Sequence, residues 1–302
     1  MNQTEQSPRP IAVFGAAGAV GEAIARTLIR QGYTVLPVSR RPHAVASDLG
    51  ESVSADLNDP ASLAAAVSGA STVILTPVIT LSVNALPALQ AAGVDRAVFV
   101  SSQNVTVGAA QKSYAALHTA ERAVHECGLR WTILRPTLIY GDPRLATITR
   151  LIHLARKWPI LPSPGLGLAH QQPVFHEDLA SVAAWCAHAP EALGKTIAVG
   201  GPQIMRLNAL YAAVSRAAGG TGLVAPVPFW VLHRIKHALG ERFPLSDDQL
   251  SRARADKHIN DVFDFPPSVR PSTSLDQGLK RHVAALDQIA AHALSSQARS
   301  AP

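Results

Sequence analysis

In the stretch SYAALHTAER (113–122), Tyr114 stands four residues before His118, a spacing that on a helix sets a phenol and an imidazole one turn apart on one face. Ordinary packing accounts for such a pair as readily as proton chemistry does, so its surroundings must decide. A second group is Gly15, Gly18 and Gly21 in VFGAAGAVGEAIARTLIRQGYTV, with Ala17, Ala19 and Val20 between them. Glycine at that spacing lets backbone turn sharply and approach a pyrophosphate, while the free N–H groups of a helix N-terminus face the anion. A third is Ser39, Arg40 and Arg41 in SRRP. An acid at that place would bind the adenosine ribose hydroxyls and repel a 2′-phosphate, whereas a hydroxyl and two guanidinium groups suit the phosphate, so the residues favour NADP over NAD.

The elements around these residues support the reading. PIAVFG (10–15), YTVLPVS (33–39), TVILTP (72–77), RAVFVSS (96–102) and RWTILRP (130–136) are apolar, β-branched runs of the kind found in strands buried on both faces. Helical periodicity fills 19–31, 60–69, 81–92 and 113–127, with Gly32, Gly69, Gly93 and Gly128 just past the helix ends. Strand and helix alternating at this interval predict an α/β fold, a doubly wound parallel sheet of Rossmann type. The glycine loop follows the first strand and opens the first helix, the context a dinucleotide-binding motif requires.

Beyond residue 140 the alternation loosens. QQPVFH (171–176) and KTIAVGG (195–201) read as further strands around an alanine-rich helix opened by HEDLA, and from 206 onward the chain reads as helical. The expected division is a Rossmann core over 1–140, then 141–302 holding the remaining core elements (about 171–201) and a smaller, mostly helical C-terminal lobe. PVPFWVLHRIKHALGERF (226–243) places Phe229, Leu232, Ile235 and Leu239 on one helical face. The helix over 228–240 is either a packed lobe helix, or one that lies at a membrane surface as a peripheral contact or frames an apolar substrate mouth, and either of the last two suits a hydrophobic ligand. The last helix, 274–294, carries Leu275, Leu279, Val283, Leu286, Ile289 and Leu294 on one side.

Of the 302 residues 47% are hydrophobic and 16% charged, which excludes a disordered chain, and no run of about 18 apolar residues crosses a bilayer. The polar start, MNQTEQSPRP, lacks an apolar signal core, so a soluble, cytoplasmic protein is expected. The net charge of +6 is scattered rather than gathered in a stripe with aromatics, which argues against nucleic acid and leaves a small molecule as partner. Cys127 and Cys186 read as buried, reduced thiols, and His170, His176 and Glu177 lack metal-ligand spacing, so no metal is expected.

Gly15-x-x-Gly18-x-x-Gly21, ADL (55–57), FVSS (99–102), GLRWTILRPTLIYG (128–141), VFHEDLA (174–180) and GGPQIM (200–205) together resemble the extended and atypical short-chain dehydrogenases, a likeness spanning nearly the whole chain. FPLSDDQLSRARADKHIN (243–260) is similar to the C-terminal segment of proteins related to the NADPH-binding accessory subunit of respiratory complex I. The resemblance implies that Asp56 and Leu57 flank the adenine, and that Thr76 and Pro77 line the middle of the cofactor. It also puts Ser101 and Pro136 near the nicotinamide and makes Ser102 the catalytic serine. Asp178 matches an acid expected to cap the helix it opens. Active members carry lysine four residues after the tyrosine, where it holds the nicotinamide ribose and lowers the phenol's pKa; here His118 takes that place. The implied activity is an NADPH-dependent oxidoreductase acting on an apolar carbonyl, lipid or quinone-like substrate. A non-catalytic NADPH-binding sensor or scaffold and a sugar-nucleotide epimerase-like enzyme remain as alternatives.

Overall fold

The computed structural model describes residues 9–107, 112–240 and 255–300. Along the first part of the chain run β1 (Ile11–Phe14), α1 (Ala19–Arg30), β2 (Val35–Ser39), β3 (Val53–Ser54), α2 (Pro60–Val67) and β4 (Thr72–Leu75). They are followed by α3 (Ile79–Ser82), α4 (Leu86–Ala91), β5 (Arg96–Val100), α5 (Lys112–Glu126) and β6 (Trp131–Pro136). Next come β7 (Ile139–Tyr140), α6 (Ala146–Lys157), β8 (Ile160–Pro164), β9 (His170–Gln171) and β10 (Val174–Phe175). The remaining elements are α7 (His176–Cys186), β11 (Lys195–Val199), β12 (Met205–Arg206), α8 (Leu207–Ala217), β13 (Leu223–Val227), α9 (Phe229–Leu239) and α10 (Leu275–Ser300).

Two compact units result. The first takes the chain up to Pro136, then His176–Val199 and Ile259–Pro271. Its sheet has the strand order β11-β6-β5-β4-β1-β2-β3, and every neighbouring pair is parallel. α1 packs beside α7, while α2 lies beside α4 and α3 beside α5, so helices cover both faces and β1, β4 and β5 are buried throughout. This is the expected doubly wound sheet. Residues 81–92 form two short helices rather than one, because Pro87 lacks an N–H and opens the second. The segment 259–271 brings Phe263 and Phe265 against Trp185, with ring centroids 5.8 and 6.0 Å from the indole.

The second unit holds 137–175, 200–258 and 272 onward. Its core is made by Ile148 and Ile152 of α6, Leu210 and Val214 of α8, Leu275 and Leu279 of α10, and the rings of Tyr140 and Phe175. Gly278 is required there, since a Cβ would overlap the ring of Tyr140. His282 is fully buried and joins two segments: its Nδ1 accepts the Gly141 N–H at 3.1 Å, which leaves the proton on Nε2, 2.9 Å from Thr149 Oγ1. The unit is not purely helical, because β8 and β13 pair in parallel over five residues. On α9, Leu232 is buried while Trp230 and Ile235 are exposed, and on α10 Ile289 is exposed. Arg242 and most of 243–260 lie outside the described residues. Among the described residues no helix is long and apolar enough to cross a membrane.

Candidate functional site

The glycine loop is shaped by what each glycine must avoid. Gly15 has φ 81° and its N–H donates to Val38 O at 2.9 Å, closing the tip of β1 onto the end of β2. A Cβ there would fall on Thr76 Oγ1 and lie 3.3 Å from Pro77 Cδ, so the glycine brings Thr76 and Pro77 against the loop. Thr76 is fixed in turn, donating from Oγ1 to Phe14 O at 2.7 Å. Gly18 is the N-cap of α1, exposed and without a side-chain cap, so the first-turn N–H groups and the positive end of the helix dipole face outward. At Gly21 a Cβ would overlap the Gly15 carbonyl, which is how closely α1 approaches the turn. Ala17 and Val20 are half-buried at this surface and Ala19 is buried. The cradle has the form and polarity that a pyrophosphate takes, so the residues present fit a dinucleotide.

At the end of β2 the buried Ser39 turns its hydroxyl inward, where Oγ accepts the Arg41 N–H at 3.1 Å. The side chains of Arg40 and Arg41 are exposed and engage no carboxylate among the described residues. Arg26 is the contrast, held between Glu22 and Asp48. Asp56 is half-buried and its Oδ1 accepts the Asn58 N–H at 2.9 Å, while the Leu57 side chain lies in the hydrophobic core. Any adenine contact at this place therefore falls to Asp56 and to backbone.

The third group gathers at the end of β5. Ser101 N–H donates to Leu134 O at 2.7 Å, setting Ser101 and Ser102 beside Arg135 and Pro136. Ser102 is half-buried, and its Oγ accepts the Asn104 N–H at 3.2 Å while its own proton donates to none of the described residues. On α5, Tyr114, Leu117, Glu121 and Val124 form the buried face. His118 is exposed, and with Thr119, Arg122, His125, Glu121 and Arg135 it lines a surface cavity of about 330 Å³. The expected common face for Tyr114 and His118 is thus divided: four residues advance a helix by about 400°, and that excess carries His118 out of the core.

The sequence reading missed Glu121. It is 2% exposed, accepts the Ser101 Oγ proton at 2.6 Å and forms a two-pronged pair with Arg135. Its signal was an acid seven residues after Tyr114, on the helix face that also carries Leu117 and Val124. Cys186 is buried as expected, whereas Cys127, just past the end of α5, is half-exposed, and both are free thiols. Burial pushes the Cys186 thiol up to about 12. His170 falls in the second unit and His176 and Glu177 in the first.

Residues 15–155 match the NAD(P)H-binding family. A 2-alkyl-3-oxoalkanoate reductase from Stenotrophomonas maltophilia is 24% identical over 322 aligned positions, covering 90% of this chain and 97% of that protein. Uncharacterized mycobacterial proteins match at 29% identity over 163 residues, and the match spans only 17% of their length. Among solved structures, MoeE5 in complex with UDP-glucuronic acid and NAD aligns at TM-score 0.71 and 19% identity, covering 93% of this chain and 99% of that one. The NADPH-dependent quinone oxidoreductase QOR2 of Escherichia coli, complexed with NADPH, aligns at TM-score 0.69 and 19% identity, covering 89% and 98%. These structural likenesses establish the NAD(P)-binding Rossmann fold.

Proposed function

We propose that this chain, an NAD(P)-binding Rossmann protein, is an NADPH-dependent oxidoreductase that reduces an apolar carbonyl or quinone-like substrate. The observation that carries the cofactor choice is the pair of exposed guanidinium groups, Arg40 and Arg41, which meet no carboxylate among the described residues, beside a pyrophosphate cradle built on Gly15, Gly18 and Gly21. When bound, NADPH supplies the hydride. The chain's own residues do the rest: the α1 N-terminus holds the pyrophosphate, Arg40 and Arg41 the 2′-phosphate, and Asp56, Thr76 and Pro77 the adenosine and central parts. Ser102 would hydrogen-bond and polarise the substrate oxygen through its hydroxyl, keeping its proton, and Tyr114 would give up the single proton that completes the alcohol. His118 replaces the lysine that would tune that phenol. The names of the Stenotrophomonas reductase and of QOR2 support an apolar oxo or quinone substrate.

The test is titration of the purified chain with NADPH and NADH, followed by NADPH oxidation against a panel of 3-oxoacids, enones and quinones. Tighter NADPH binding with turnover of at least one panel member is expected. Equal affinities would remove the NADP assignment, and binding without turnover would favour a non-catalytic NADPH holder. That second reading draws on one observation, the exposure of His118 at the end of the active tyrosine's helix turn, away from the core that encloses Tyr114.

A further inference from the structure

We propose that His170, Asp256 and His258 of the second unit form a zinc-class metal site, two imidazoles and a carboxylate with a remaining position for water. This is independent of the dinucleotide and of the reduction proposed above.

Register brings the three together from distant parts of the chain. Gln171 bridges Lys257 in parallel fashion, and the Lys257 N–H donates to His170 O at 2.7 Å. In paired extended segments registered residues share a side and their neighbours take the other. Gln171 and Lys257 therefore point one way, and His170, Asp256 and His258 the other. One donor atom from each of the three lies within 4.8 Å of the other two. Tetrahedral zinc with bonds near 2.1 Å needs donors about 3.4 Å apart, a distance that small rotations of the partly exposed side chains supply.

The details fit a metal better than a plain hydrogen-bonded cluster. The His170 N–H donates to Asp256 Oδ1 at 2.6 Å, which holds the carboxylate in place on the imidazole side. His170 Nδ1 lies 3.3 Å from the same oxygen. The imidazoles of His170 and His258 meet edge to face, with centroids 5.7 Å apart and planes at 74°, rather than stacking. His258 Nδ1 is shut off from solvent and has no hydrogen-bond partner among the described residues, an arrangement that costs stability unless something binds the nitrogen. Two imidazole nitrogens and a carboxylate oxygen form a borderline donor set suited to Zn²⁺ or Co²⁺ rather than to Mg²⁺ or Ca²⁺. A bound ion would fasten 255–258 to β9 and lengthen the lifetime of that long-range pairing.

The experiment uses the full, tag-free chain stripped with chelator, titrated with Zn²⁺ by calorimetry and with Co²⁺ by visible absorption. One ion per chain is expected, with Co²⁺ bands of the intensity given by four or five ligands. His258→Ala and Asp256→Asn should each weaken binding at least tenfold while NADPH affinity stays within twofold. Asp256→Asn keeps an acceptor for the His170 N–H, so it reports on the metal even if His258→Ala folds poorly. The absence of stoichiometric binding overturns the proposal, and so does wild-type affinity in both variants, which would assign the bound metal to other histidines. NADPH titration of the same samples keeps this outcome separate from the fate of the reductase reading.

Discussion

Arg135 grips Glu121 along one edge of its guanidinium, Nε standing 3.0 Å from Oε1, and Ser101 donates to the same oxygen at 2.6 Å. This knot ties α5, which carries Tyr114, to the ends of β5 and β6, which carry Ser102 and Pro136. Glu121 is almost wholly enclosed, whereas Arg135 keeps 23% of its side chain in water. Removing the cation therefore strands a buried carboxylate, and Arg135→Ala should cost about 3 kcal/mol in urea denaturation. A loss below about 1 kcal/mol would class the pair with ordinary surface bridges.

Gly21→Ala should abolish NADPH binding measured by fluorescence, because its Cβ overlaps the backbone carbonyl of Gly15 and opens the cradle. Gly32→Ala is the control. Gly32 also has positive φ, 85°, but faces open space, so it should lose about 1–2 kcal/mol of stability and leave NADPH affinity intact.

Replacing Arg40 and Arg41 together by alanine should reduce the preference for NADPH over NADH at least tenfold, with NADH affinity nearly unchanged. Both side chains are exposed, so the wild-type preference should itself shrink with added salt. A preference that survives the double change would place the 2′-phosphate elsewhere.

Tyr114→Phe keeps the ring in the core and removes only the hydroxyl, so turnover should drop at least tenfold with melting temperature and NADPH affinity held. His118→Lys should tighten NADPH in a pocket whose ribose contact has been lost. Unchanged binding and turnover in both variants would return the pair to packing.

Stability should decline on the alkaline side. Burial pushes Cys186 and Tyr211 each up to about 12, while unfolded thiols and phenols titrate near about 8.5 and 10. Folding thus retains protons that the unfolded chain releases, so their stabilisation is full below about pH 8 and falls as pH rises toward 12. Denaturation curves from pH 8 upward should show the decline, and Tyr211→Phe should flatten the portion above about pH 10.

The parallel sheet could be read from the sequence because β1, β4 and β5 are continuous apolar runs, and the cradle because its glycines sit between a strand and a helix. Strands with weaker signals were hidden. β3 is two residues long, and β8 (ILPSP) and β13 (LVAPV) contain prolines that read as breakers, although a two-stranded pair has outer edges where a missing N–H does no harm. Amphipathic α6 was passed over in a region without flanking strand signals. Glu121 looks like a surface acid until β6 supplies Arg135, and His170 becomes a neighbour of Asp256 only through a bridge between residues 171 and 257. Both depend on tertiary register, which local spacing does not encode.

The edge position of β11 sets a timetable for synthesis. β6 is complete at Pro136, but its outer partner begins at Lys195, after roughly sixty intervening residues. At about 5–20 residues per second, a ribosome leaves that row of unpaired amides and carbonyls open for about 3–12 s. A fragment cut at residue 155 would keep it open permanently. Such a fragment should aggregate through β6, and adding back residues 176–199 in the same chain should restore its solubility.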